Sequence, residues 1–268
     1  MAFNIIVCAK QVPDSDLVRI DPKTGSIIRK GVPGVLNADD ANALEEALKI
    51  KDKHDDVYIT VVTMGPPQAE EVLFEAIAKG ADEGILINDI ALASSDTFVT
   101  STVLKTAIEK WAADNGEISL VFAGREATDG DTAQVGPQLA ERLDIPQVTY
   151  ASSFEISEDM KTVTISRKLE GYHEEVEVNT PCLVTAIKDL NQPRYPHMHN
   201  VFAPMKITSW NIEDLGLDAD SVGLAGSPSV VISSFPLKKG KGGMFVEGES
   251  GAEQAANLLA ALKDKRII

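Results

Sequence analysis

Cysteine is nearly missing from this 268-residue chain, with Cys8 and Cys182 the only two. Two thiols cannot build the disulfide framework of a small secreted domain, and free cysteines suit a reducing compartment. No apolar run approaches the roughly 18 residues that a membrane span needs. The opening residues, Phe3-Asn4-Ile5-Ile6, read as the start of a strand and not as a secretory leader, so a cytoplasmic protein is expected. Basic side chains are scarce as well. Lys and Arg number 25 against 41 Asp and Glu, a formal charge of −16. Such a surface repels phosphate backbones and anionic lipid, so neither a nucleic-acid partner nor membrane insertion is expected.

The usual catalytic constellations are absent too. The first apolar stretch, 4–9 (NIIVCA), runs into Lys10-Gln11-Val12-Pro13-Asp14 without the G-x-G-x-x-G of a dinucleotide fold. Lys239-Gly240-Lys241-Gly242-Gly243 neither follows a strand nor has the spacing of a phosphate-binding P-loop. His197 and His199 flank Met198 with no third ligand nearby, and His173-Glu174-Glu175 lacks the second His of a zinc hydrolase, so no metal is expected. No Ser/His/Asp or Cys/His arrangement can be read. Trp111 and Trp210 read as packing residues. A chain without catalytic side chains of its own leaves cofactor chemistry, in which the protein supplies binding and electrostatics.

What is present is alternation. Strands are expected at 4–9, 57–63, 83–88 and 118–123. Helices are expected after Asn37, over 68–79 ending at Gly80, and from Ser94-Ser95-Asp96 to about 115. This order predicts an α/β fold, a twisted sheet with a parallel core and helices on both faces. Residues 20–29 read as a small hairpin turned at Pro22-Lys23-Thr24-Gly25. After Pro146 the pattern changes to short alternating segments, 148–154, 162–169, 174–178 and 182–186, read as antiparallel hairpins extending the sheet. From Leu190 the chain is Pro-rich and irregular. Residues 209–249 show little periodicity and are expected to lie on a partner. A last helix is expected over 252–262.

The stretch 118–143, ISLVFAGREATDGDTAQVGPQLAERL, reads as strand, polar loop and helix. Asp131 and Gln134 have capping-box spacing, but Pro137 favours a start closer to itself. Either start puts free amides at the end of a parallel strand, where a phosphate can accept them. Glu126, Asp129 and Asp131 oppose an anion and only Arg125 helps, so amides and helix dipole must carry a phosphate. Asp129 could accept from ribose hydroxyls. Gly130 is expected for close backbone approach or a positive φ. The same residues also read as a solvated turn with a good cap. Loops after Ala9, Thr63 and Ala123 would converge on one rim as an adenine-nucleotide cleft.

Residues 166–206 add a more specific signal: Arg167, Glu170-Gly171, Val176-Glu177-Val178, Pro181, Val184-Thr185 and Leu190-Asn191-Gln192-Pro193-Arg194-Tyr195. With VCAKQVPD, VLNADDANALEEAL, TMGP and AGREATDGDTAQVG elsewhere, this set resembles the beta (small) subunit of electron transfer flavoproteins over essentially the whole chain. The resemblance implies an adenine nucleotide alpha-hydrolase-like fold and a flavin-bearing alpha subunit as partner. It implies nucleotide contacts at Ala9, Asn37, Ala38, Asp39, Asp40 and Met64. It adds the loop Gly124, Arg125, Glu126, Ala127, Thr128, Asp129, Gly130, Asp131, Thr132, Ala133, Gln134 and Val135.

Housekeeping members hold AMP there and carry electrons from acyl-CoA dehydrogenases. Electron-bifurcating members hold a second FAD. Asp39-Asp40 and the loop 129–135 depart from the housekeeping pattern toward the bifurcating branch. The implied function is acceptance of hydride from NADH by that FAD. One electron then goes to ferredoxin or flavodoxin, and one goes through the alpha-subunit FAD to an acyl-CoA dehydrogenase. Arg125 would be the nearest cation to the dinucleotide, with Asp39, Asp129 and Asp131 setting polarity and ribose contacts. NADH oxidation is expected only from the alpha–beta complex. A stand-alone nucleotide-binding protein of the same fold is the remaining alternative. The implied divisions are a nucleotide-binding domain over 1–190, a dehydrogenase-docking loop over 191–206, and an arm and helix over 207–268 packing on the alpha subunit. Asn191, Pro193, Arg194, Tyr195 and Met198 are the implied partner residues, with Met198 the anchor.

Overall fold

The computed structural model describes residues 2–14, 19–20, 27–28, 32–232 and 243–268. The strands are β1 (Phe3–Cys8), β2 (Gln11–Pro13), β3 (Arg19–Ile20), β4 (Ile27–Ile28), β5 (Gly34–Leu36), β6 (Val57–Met64), β7 (Glu83–Ile87), β8 (Ile118–Gly124), β9 (Gln147–Ile156), β10 (Thr162–Leu169), β11 (Tyr172–Asn179), β12 (Cys182–Ala186) and β13 (Ile207–Trp210). The helices are α1 (Ala38–Lys51), α2 (Glu70–Lys79), α3 (Thr97–Asn115), α4 (Val135–Leu143), α5 (Met198–Val201), α6 (Gly223–Gly226) and α7 (Gly251–Asp264). β3 pairs with β4 antiparallel, as the expected hairpin requires, while its turn lies outside the described residues.

Nine strands form one sheet in the order β11-β10-β9-β12-β8-β1-β6-β7-β13. From β9 to β13 every neighbour is parallel, and only β10 runs against the rest, pairing antiparallel with β9 on one side and β11 on the other. The core strands are apolar on both faces because helices cover both. α1 and α2 pack with Ile5, Val7, Ile59, Val61, Leu120 and Phe122 on one face. α3 and α4 pack with Ile6, Val62, Ile85, Val121 and Leu183 on the other. The expected α/β layering is what the chain adopts.

Two expectations need correction. Residues 182–186 were expected in an antiparallel hairpin, yet β12 lies between β8 and β9, parallel to both. Its five buried residues, CLVTA, show no alternation, as befits a strand covered on both faces. The expected arm also begins later than residue 207. β13 adds to the sheet edge beside β7, Leu215 and Val222 are buried, and Lys206 pairs with the buried carboxylate of Glu83. The chain stays tied down to Ser229, whose amide donates to Asp96 Oδ2 (2.9 Å).

Helix α4 approaches β12 so closely that a Cβ on Gly136 would sit 2.6 Å from Thr185 Cγ2. Both cysteines are buried, and burial pushes each thiol up to about 12, which leaves them unreactive packing groups.

Candidate functional site

Parallel pairing brings the C-terminal ends of β6, β1, β8 and β12 to one rim. Cys8 stands opposite Val62, Val7 opposite Phe122, and Gly124 opposite Ala186. Helix α1 enters this rim with its N-terminus, which favours Asp39 and Asp40 in its first turn. Asp40 is 7 % exposed. Its Oδ2 accepts the Lys10 amide (2.8 Å) and its Oδ1 accepts the Gly124 amide (2.8 Å). One carboxylate thus joins the exits of β1 and β8 to α1. Burial pushes that carboxyl up to about 7, against the pull of its amide donors. Gly124 is required here, because a Cβ would lie 2.3 Å from Asp40 Oδ1 and 2.8 Å from the backbone of Asp39.

Asn37 precedes α1 but makes no side-chain cap bond to it. It is fully buried and holds the 124–135 loop. Its Nδ2 donates to the Glu126 carbonyl (2.9 Å), and its Oδ1 accepts the Thr128 amide (3.2 Å). Lys10 Nζ crosses from the β1 exit to Asp129 Oδ1 (2.6 Å). Arg125 pairs with Glu126 and lies 3.4 Å, Nε to Oδ2, from Asp39. Burial raises the Asp39 carboxyl, while the charges of Arg125 and Lys188 hold it down. Burial likewise raises Glu126, and Asp131 adds to the effect. Burial thus acts in the same direction on Asp39, Asp40 and Glu126.

The helix after this loop starts at Val135, near Pro137, and the alternative opening at Asp131 does not form. Asp131 and Ala133 instead adopt left-handed backbone, φ 53° and 52°. Such values are uncommon away from glycine and strained for alanine. Gly130 is not among the positive-φ residues, and a Cβ there meets nothing within 4 Å. The demand for unusual backbone falls one and three residues later than expected. Thr97 Oγ1 donates to Gln134 Oε1 (2.9 Å), tying the loop's end to α3.

Among the described residues, three buried side-chain polar atoms lack a hydrogen-bond partner: Asp39 Oδ2, Arg125 Nε and Thr63 Oγ1. All three belong to this rim, Thr63 by its place in β6 just before Met64. The structure thus gathers Ala9, Asn37, Ala38, Asp39, Asp40, Met64 and the 124–135 loop. It adds Lys10, Thr63 and Lys188, which sequence reasoning passed over. Lys10 directly follows Ala9, so its place on the rim was readable. Thr63 closes the 57–63 strand, whose loop was expected on this rim, whereas Lys188 carries no comparable signal.

The residues expected to meet a partner separate from this rim. After Asn191 the chain follows α1 to the C-terminal end of α2, where the His197 amide donates to the Ala78 carbonyl (2.9 Å). α2 runs against the strands, so this is the opposite rim of the sheet. Tyr195 is 91 % and Met198 70 % exposed.

Residues 24–218 match the family model described as the electron transfer flavoprotein domain. The chain belongs to the electron transfer flavoprotein family. It is 49 % identical to the caffeyl-CoA reductase-Etf complex subunit CarD of Acetobacterium woodii, over 99 % of this chain and 100 % of that one. It is 46 % identical to the electron transfer flavoprotein subunit beta of Clostridium acetobutylicum, with the same coverage. It is 41 % identical to the acryloyl-CoA reductase electron transfer subunit gamma of Anaerotignum propionicum, again over 99 % and 100 %. These relatives place the chain among beta-type electron transfer flavoprotein subunits. No helix among the described residues is long and apolar enough to cross a membrane.

Two predictions follow from the rim of this flavoprotein subunit. Asp40 titrates near 7 in the fold but near 3.9 in an unfolded chain. Between those values the fold holds the proton more tightly, so the group's contribution is complete below about pH 4 and lost as pH rises to about 7. Asp40→Asn cannot titrate. Its denaturation midpoint relative to wild type should climb between about pH 5 and pH 7, whereas a flat difference contradicts a raised carboxyl. Gly130→Val meets no obstruction within the chain, so stability should stay within about 0.5 kcal/mol of wild type. Nucleotide binding by this subunit should weaken, read by isothermal titration of the nucleotide-stripped complex. Unchanged affinity would make the loop an ordinary turn.

Proposed function

We propose that this chain is the beta subunit of a cytoplasmic, heterodimeric, electron-bifurcating flavoprotein, with FAD at the rim where β1, β6 and β8 end. The observation that supports a ligand here is a rim whose buried polar atoms are poorly met within the chain: Thr63 Oγ1 has no hydrogen-bond partner among the described residues, and Asp39 Oδ2 and Arg125 Nε lie 3.4 Å apart as an ion pair without making a hydrogen bond. A buried polar group left without a hydrogen bond costs roughly 1–3 kcal/mol unless another molecule meets it. Lys10, Arg125 and the free amides at the start of α4 would hold the diphosphate, a helix N-terminus being suited to anions. The carboxylate of Asp39 and the hydroxyl of Thr63 would meet ribose or ring donors. When bound, FAD supplies two-electron acceptance from NADH and one-electron release to two different acceptors. The chain's own part is to fix the cofactor's height against the sheet and set the local charge.

Asp39-Asp40 and the Gly130 loop support FAD over AMP. Asp40 is the stapling residue and Asp39 is ion-paired with Arg125, so the pair shapes the rim directly. Relatives named for caffeyl-CoA and acryloyl-CoA reductases support acyl-CoA dehydrogenase-type partners. Ferredoxin or flavodoxin would take the low-potential electron. Residues 191–206 would dock the dehydrogenase through Met198. Helix α7, which buries none of its residues against the described chain, would pack on the alpha subunit with Leu258 and Leu259.

Cofactor content tests the reading. Purified with its alpha subunit and supplied with FAD, the complex should hold two FADs and be reduced by NADH. One FAD plus one AMP, stable against excess FAD, would leave the housekeeping function in its place.

A further inference from the structure

Arg194 sits in the segment assigned above to docking, yet its side chain turns inward onto helix α1. Its Nε donates to Glu45 Oε2 (2.9 Å) and its Nη2 to Glu45 Oε1 (3.0 Å). The far edge of the same fork reaches Asp52 at the end of α1, Nη1 to Oδ1 (3.2 Å) and Nη2 to Oδ2 (2.6 Å). Its backbone amide also donates to Glu45 Oε2 (2.9 Å). Glu45 is 7 % exposed, so its charge has left water and needs this partner. A planar guanidinium can serve two carboxylates at once, which a lysine ammonium cannot do with fixed geometry.

Asn191, three residues earlier, repeats the pattern. It exchanges hydrogen bonds with Asn42, Nδ2 to the Asn42 carbonyl (3.0 Å) and Asn42 Nδ2 to its own carbonyl (2.8 Å). Its Nδ2 also donates to Glu46 Oε2 (2.8 Å). Helix α1 therefore turns its polar inner residues Asn42, Glu45 and Glu46 toward this segment, Glu46 also accepting from Lys49 of the same helix (2.9 Å). Beyond the clamp the apolar side chains turn outward, with Phe202 80 % exposed.

We propose that Arg194 is a positioning residue. Forked between Glu45 and Asp52, it sets the height and direction of residues 195–202 and does not itself touch the partner. The inference rests on the docking reading of 191–206. It divides that segment into an inward clamp, Asn191 and Arg194, and an outward tip around Tyr195, Met198 and Phe202. A loop held in its binding-competent form avoids the affinity loss of a loop that must be ordered on docking.

The test uses the alpha–beta complex carrying Arg194→Gln, Arg194→Lys or Met198→Ala. Hydrogen exchange is measured on the free complex, and electron transfer is titrated with acyl-CoA dehydrogenase. Arg194→Gln should speed amide exchange in 195–203 while α1 keeps its protection. It should raise the apparent KM for the dehydrogenase about tenfold with kcat at saturation retained, as expected when about a tenth of the loops are competent. Arg194→Lys should recover only part of this. A raised KM with unchanged exchange would put Arg194 in direct contact with the partner and overturn the proposal. So would loss of protection throughout α1, which would make the residue a general support of the fold. Met198→Ala separates the two levels of inference. If it weakens the titration and Arg194→Gln does not, the positioning role alone fails. If neither variant weakens it, the docking reading fails and the proposal falls with it.

Discussion

The rest of this subunit depends on the carboxylate of Asp40, held between the backbone amides of Lys10 and Gly124. Those amides belong to the exits of two neighbouring parallel strands, where the ladder ends and N–H groups need other partners. A buried carboxylate is costly in isolation and tolerable when both oxygens accept strong donors. The arrangement explains the glycine at 124, since any Cβ there collides with the staple. It also explains why α1 can end so near the sheet. With that helix end fixed, Asn37 reaches the loop after β8, and Lys10 reaches across it to Asp129.

Helix α1 then serves both functions proposed for the chain. Its first turn carries the staple and the charges of the nucleotide rim. Its middle carries Asn42, Glu45 and Glu46, which are buried against the segment leading to the docking tip. These polar residues share the helix with the apolar stripe of Ala43, Leu44, Ala47 and Leu48 that faces the sheet. In the proposed function, cofactor and partner would thereby be served from opposite rims of one sheet by a single helix.

Much of the fold could be read from local pattern. The runs IIVC, VYITVVT and ISLVFAG are mostly apolar and lack alternation because helices cover both faces. The intervening Asp96 and Gly80 act as helix punctuation, Asp96 accepting the Val99 amide and Gly80 adopting φ 129°. The insertion of β12 between β8 and β9 was not readable. Hairpin spacing and a parallel return look alike until long-range pairing decides. β13 was missed for a similar reason, being four residues long and stabilised by its neighbour β7 and by Lys206 on Glu83. At the rim, residue types pointed to the 124–135 loop but not to its mechanics. Asn37 looked like a cap and is a bridge. Gly130 looked like the strained position, and the strain lies at Asp131 and Ala133. Arg194 carried a family motif and gave no sign that it faces inward.

The most direct test of where the cofactor sits is hydrogen exchange on the alpha–beta complex, stripped of nucleotide and then reloaded with FAD. The account predicts that reloading this subunit's site slows exchange in 37–40 and 124–135 and leaves the amides of 195–203 as they were. Slowed exchange elsewhere in this chain, with 124–135 unchanged, would contradict it.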